Sequence, residues 1–207
     1  MEELKYEILD DKRKEMLPIL AQFKESFILA GGTGLALQIG HRISEDFDFF
    51  TNTKFQNEKL IESLKNSFQN NSITQVQNEI DTLTVLVDQV KLSFFYLKEP
   101  PLIELIDTEY FKIFNKKEIA IFKILALLRA EYKDYIDLYY LLKEIDIKEI
   151  LLLTKLKYPD FNEAMYIKAL LSFDDIDITP ISFQPGFEVS EKQVFGEIKK
   201  TISHRLR

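Results

Sequence analysis

Residues Phe27 to Phe50 read FILAGGTGLALQIGHRISEDFDFF, and the fold turns on this stretch. Phe27-Ile28-Leu29-Ala30 is a short apolar run that ends at Gly31-Gly32, which predicts a buried strand entering a tight turn. Thr33 to Ile39 carries Leu35, Ala36, Leu37 and Ile39 and reads as a short helix, with Gly40 as its stop. Asp46-Phe47-Asp48-Phe49-Phe50 alternates polar and apolar and reads as a second strand. The two glycines allow a close approach to the backbone, and the helix start at Thr33 offers N–H groups to an anion. The Thr33 hydroxyl can add a hydrogen bond to a phosphate. Asp46 and Asp48 are two positions apart on a strand, so both carboxylates leave the same face. Two oxygen donors beside a phosphate-binding helix start suit one or two Mg²⁺ ions, ~3.5–4 Å apart, that clamp an in-line phosphoryl displacement. Singly, a Gly-Gly turn is more often just a turn, and Asp-x-Asp an exposed strand end. In this order and spacing they point to a metal and phosphate site.

Outward from this stretch the periodicity divides the chain. Residues 3–25 have Leu4, Ile8, Met16, Leu17, Leu20 and Phe23 at roughly helical spacing, and Pro18 is expected to break that helix in two. Phe55 to Gln69 reads as a helix, and the Asn/Gln-rich patch 66–78 as polar loop and helix surface. Leu83–Val87 and Val90–Tyr96 flank Asp88-Gln89 and read as a hairpin. Pro100-Pro101 closes the β-rich part. From Lys117 the pattern is helical, with further helices over 147–156, 162–171 and 190–206. The expected class is α+β: a small mixed sheet with flanking helices over 1–105, then a helical half over 106–207 that closes the cleft.

Composition narrows the chemistry. The 207 residues are 46% apolar and 13% aromatic, enough for a real core. There is no cysteine, which excludes disulfides, thiolate catalysis, zinc ribbons and iron–sulfur sites. The two histidines, His41 and His204, exclude a His-rich metal site. Net charge is −7, which disfavours coating nucleic acid by bulk charge but leaves a local basic cleft open. No apolar run reaches the ~18 residues of a membrane span, and the charged start lacks a signal-peptide core. A cytoplasmic protein with no membrane partner is the expectation.

The motif also carries a resemblance. Gly32-Thr33, twelve intervening residues and Asp46-Phe47-Asp48 look like the Gly-Ser…Asp-x-Asp signature of the DNA polymerase β-type nucleotidyltransferases. The string GGTGLALQIGHRISEDFDFF closely resembles the AbiEii/AbiGii toxin family within that superfamily, most specifically at Gly40-His41-Arg42-x-Ser44-x-Asp46. Lys123 in EIAIFKILALLRA and the run from Lys133-Asp134 to Asp137-Leu138 are similar to that family's downstream Lys motif and Lys-Asp-x-x-Asp-Leu helix. The resemblance implies transfer of a nucleoside monophosphate from an NTP to a hydroxyl on tRNA, another RNA or a protein. It implies Mg²⁺ or Mn²⁺ on Asp46 and Asp48, and a cognate antitoxin partner. Gly31, Gly32, Thr33, His41, Arg42 and Lys123 would bind the nucleotide, with Asp46, Asp48, Lys123 and Asp137 catalytic. Two departures stand out. Thr33 replaces the superfamily's Ser, and Ser93 occupies the position of its third acid. The second motivates an alternative, a nucleotide- or RNA-binding module without turnover. A small-molecule nucleotidyltransferase of the aminoglycoside-modifying kind is a further alternative.

Several residues keep two readings. His41 either binds phosphate or orders the loop. Arg42 either contacts a phosphate oxygen or pairs with Asp46 or Glu45. Lys123 sits between Phe122 and Ile124, where a lysine must be paired, snorkel or point into a polar cleft. Asp134 caps its helix or shares an inner face with Asp137, three positions on. Asp137 in turn positions Lys123 or acts as a base.

Overall fold

The structure is a computed structural model that describes residues 4–174 and 176–205. The fold is α+β. It divides into two compact units, Met1–Asn115 and Lys116–Arg207.

The first unit is built on a mixed sheet that, among the described residues, has seven strands. They are β1 (Ile28–Leu29), β2 (Phe47–Thr51), β3 (Ile73–Glu79), β4 (Thr82–Val87), β5 (Val90–Tyr96), β6 (Ile106–Asp107) and β7 (Lys112–Ile113). Their order across the sheet is β3-β4-β5-β2-β1-β7-β6. β2 runs parallel to β5 and antiparallel to β1. Helices α1 (Asp11–Leu20), α2 (Gly31–Ile39) and α3 (Asn57–Ser67) belong to this unit. The alternation in β2 sends Phe47 and Phe49 into the core, where Phe49 stacks on Phe94 at 5.3 Å between ring centroids. Buried aromatics of this kind hold a short central strand firmly, because each ring removes a large apolar area from water. Segment 106–113 adds β6 and β7 to the sheet, with β7 pairing parallel to β1.

The hairpin forms as expected. Asp88 and Gln89 both have positive φ, 45° and 75°, which two-residue turns between twisted strands require. Three readings change. The β-rich part does not close at Pro100-Pro101, because β6 and β7 follow it and β7 joins the sheet beside β1. Residues 3–25 do not form one helix broken at Pro18. Asp10 is extended, and its carboxylate accepts the Arg13 N–H at 2.9 Å, so α1 starts at Asp11 with its own cap. Pro18 lies inside the last turn of α1, and a 3₁₀ turn over Ala21–Phe23 follows. Residue 3 itself lies outside the described residues. The patch 66–78 is not all loop and helix surface, because Ile73–Glu79 is the edge strand β3 paired with β4. Nearly every side chain of β3 is exposed, so no apolar alternation marks it.

The second unit holds helices α4 (Lys116–Ala126), α5 (Tyr132–Leu141), α6 (Ile147–Lys157), α7 (Glu163–Leu171) and α8 (Glu191–Arg205). Residue 206, the expected end of the last helix, lies outside the described residues. Within this unit α4 packs on α5 and α6, and α8 on α5 and α7. No helix among the described residues is long and apolar enough to cross a membrane.

Candidate functional site

The antiparallel pairing of β1 and β2 delivers the site. Ile28 pairs with Phe50 and Leu29 with Phe49, and the Ala30 N–H donates to the Asp48 carbonyl at 2.9 Å. The chain leaving β1 therefore arrives beside the start of β2, where the two acids stand. Gly31 takes φ +62°, a left-handed conformation that favours glycine. A Cβ at Gly31 would lie 2.3 Å from Asp48 Oδ2, so the turn touches the carboxylate. The first intrahelical bond of α2 runs from Gly34 N–H to the Ala30 carbonyl at 2.8 Å. The N–H groups of Gly31, Gly32 and Thr33 precede that ladder, and a helix start of this kind can receive an anion.

Asp46 and Asp48 leave one face of the sheet, since Phe47 and Phe49 between and after them are buried on the other. Asp48 is level with Ser93 on β5, and Ser93 Oγ lies 3.4 Å from Thr84 Oγ1 on β4. Asp46 Oδ2 pairs with Lys91 Nζ at 2.6 Å, with both side chains 39% exposed. The expectation of a common acid face holds, and a lysine joins it that the sequence reading did not single out. Its signal was present in the parallel register, two positions before Ser93, but register is not visible in one sequence.

The loop between α2 and β2 is tied down from several sides. Thr33 Oγ1 donates to the Asp46 carbonyl and lies 2.8 Å from Ser44 Oγ. A hydroxyl has one proton, so the Ser44 hydroxyl donates to Thr33. The Thr33 hydroxyl, expected on a phosphate, is instead buried and fixes the backbone of Asp46 to the helix start. Arg13 Nε donates to the Glu45 carbonyl at 2.7 Å. Gly40 caps α2 with φ +78°, and the following His41 is fully buried. Arg42 is also buried; its Nη1 donates to the Ile43 carbonyl at 3.1 Å. Its Nη2 stands where it would meet a Cβ on Gly32 at 2.4 Å, so the guanidinium lies against the glycine turn. The first unit thus brings together Gly31, Gly32, Thr33, Arg42, Asp46 and Asp48.

The donor set fits a hard divalent cation. Two carboxylates on one face suit Mg²⁺ or Mn²⁺, which keeps waters and substrate oxygens in its remaining positions. Among the described residues no cluster of three or more His, Cys, Asp or Glu forms a ready metal cage.

Lys123 and Asp137 belong to the second unit. Lys123 Nζ lies 2.8 Å from Asp134 Oδ1 and 2.5 Å from Asp137 Oδ2, and all three side chains are buried. Arg129, in the 3₁₀ turn after α4, donates through Nη2 to Asp134 Oδ2 at 2.8 Å. Asp134 is therefore no helix cap. It joins Asp137 on the inner face of α5 and shares its charge between two cations. A second buried pair, Glu118 with Lys157 at 2.6 Å, joins α4 to α6. Sequence reading missed it because each residue stands among ordinary surface charges.

An uncharacterized protein of Aquifex aeolicus (strain VF5) is 38% identical over 123 residues, 56% of this chain and 58% of that protein. The chain thus spans little more than half the length of that curated relative. A candidate nucleotidyltransferase from H. pylori superposes with a TM-score of 0.63 at 19% identity, covering 96% of this chain and 99% of the other. JHP933 from Helicobacter pylori gives 0.60 at 20% identity, with 97% and 92% covered. At such identities these structures speak for the fold. The family model described as nucleotidyl transferase AbiEii toxin, type IV toxin–antitoxin system, matches residues 18–201, across both units and the whole glycine–aspartate stretch. The chain belongs to the AbiEii nucleotidyl transferase family.

Proposed function

We propose that this chain transfers a nucleoside monophosphate from an NTP to a hydroxyl acceptor and releases pyrophosphate. The observation that carries the reading is the approach of the Gly31 turn to the Asp48 carboxylate, where even a Cβ would collide. Such contact brings an anion-binding helix start and an acid face to one place. Asp46 and Asp48 would hold a divalent cation, which would supply positive charge at the phosphate oxygens. The N–H groups of Gly31, Gly32 and Thr33 face the phosphates, and the Arg42 guanidinium adds charge beside the turn. The acceptor oxygen forms a bond to the α-phosphorus as the bond to the β-phosphate oxygen breaks, and the acceptor proton leaves to solvent or a base.

Membership of a toxin family supports a growth-arresting role in the cytoplasm, with an RNA such as tRNA or a protein as acceptor and a cognate antitoxin as partner. Lys123 and Asp137 are read as a charge pair that serves the reaction through the fold of the helical unit. One observation favours a second reading, binding without turnover: neutral Ser93 stands level with Asp48 where a third acid would complete the face.

The test is transfer of label from each α-³²P NTP onto total RNA and protein. The wild type should label an acceptor in Mg²⁺ or Mn²⁺. Asp46→Ala and Asp48→Ala should each abolish labelling while keeping the circular dichroism of the parent. Nucleotide binding with no labelled product under any condition would favour the second reading.

A further inference from the structure

The acid face carries its own cation. Lys91 lies two positions before Ser93 on β5, and the parallel register of β2 with β5 sets it beside Asp46. Its ammonium reaches Asp46 Oδ2 at 2.6 Å. The ammonium offsets the charge of one of the two carboxylates. A dication approaching Asp46 therefore meets an oxygen already occupied and a positive charge beside it. Both partners are more than a third exposed, so the pair can open without exposing any core and water can solvate a released ammonium.

We infer that Lys91 is a built-in counter-ion that competes with the divalent cation for Asp46 and sets the cation affinity of the site. The inference rests on the proposed metal role of Asp46 and Asp48. In this arrangement Lys91 is a positioning residue. It holds the Asp46 carboxylate in place on the acid face when no dication is bound, and it yields one oxygen when the dication enters. The partition of Asp46 between ammonium and dication makes the nucleotide-free site a weak cation binder.

Mn²⁺ titration of the full chain without nucleotide, followed by the electron paramagnetic resonance signal of free Mn²⁺, tests this directly. Lys91→Met keeps the aliphatic stem and removes the charge. It should tighten Mn²⁺ by about tenfold, the factor that water-like screening leaves between a unit charge and a dication ~6 Å apart. Lys91→Arg should restore the weaker wild-type affinity, which a purely structural lysine would not require. Equal or weaker Mn²⁺ binding by Lys91→Met, with wild type still binding, would overturn the inference and leave the metal site standing. No Mn²⁺ bound by wild type or Lys91→Met would overturn the metal role of Asp46 and Asp48, and the inference with it.

Discussion

Gly31 is the residue on which the site's geometry depends most closely. It needs a left-handed φ and leaves no room for a Cβ beside Asp48. Gly31→Ala should therefore lower the melting temperature through backbone strain of roughly 1–2 kcal/mol, and should also displace the Asp48 carboxylate. Gly34→Ala is the control, since its Cβ would meet the Leu29 carbonyl at 3.4 Å, an ordinary contact. Thermal unfolding of the two variants should separate them, and comparable melting temperatures would count against the strained turn. Lys123 makes the second prediction at this scale. Removing its charge takes the ammonium from two buried carboxylates, Asp134 and Asp137, and sets a methyl group beside them. Lys123→Met should destabilise the chain by about 3–5 kcal/mol, the usual range for breaking a buried pair, as read from urea unfolding. A stability within error of wild type would mean that the acids have water or another cation. These residues also mark what a sequence discloses. The Gly-Gly-Thr and Asp-x-Asp residues were legible because their chemistry lies in their spacing. Lys91 and Asp134 were not, because their partners sit on another strand or another helix, and pairing of that kind is a product of the fold.

At the level of elements, the strand–helix–strand core from β1 to β2 and the β4–β5 hairpin were legible because each has a local signature. These are an apolar run into glycines, a glycine stop and a two-residue turn. β3 was not, since an exposed edge strand rich in Asn and Gln has no buried face to print a period on the sequence. β6 and β7 are two residues each, too short for any periodicity. The hairpin turn also carries a titratable lock. The Asp88 carboxylate accepts from Asn71 Nδ2 at 2.5 Å and from the Ser72 N–H and hydroxyl, both at 2.8 Å. These bonds, Asn71 first, hold its carboxyl below the usual value of 3.8. A lowered carboxyl pKa stabilises the fold above the unfolded value, and that contribution drains away as pH falls through the lower folded value. Asp88→Asn tolerates the positive φ and removes the charge. It should lower the urea midpoint near neutrality, and its difference from wild type should shrink below pH 3.8. A difference that stays constant with pH would show that the carboxylate's charge contributes nothing there.

The whole molecule joins an acid-faced sheet unit and a helical unit in one chain, and the family match runs through both. The change from β-rich to helical pattern after Pro100-Pro101 was readable from periodicity. The sheet's last two strands were not, and they carry the first unit to Asn115. A net charge of −7 means that a triphosphate is repelled by the molecule at large, so its binding has to come from local donors and a bridging dication. That requirement exposes the site reading to one decisive measurement, calorimetric titration of a non-hydrolysable NTP analogue into wild type and Asp48→Asn, each with Mn²⁺ and with chelator. Wild type should bind only with the cation, and Asp48→Asn should lose at least the ~10–100-fold that even outer-shell metal partners are worth. Equal affinity in the two proteins, or wild-type binding untouched by the chelator, would contradict a metal–triphosphate site at the Gly31 turn.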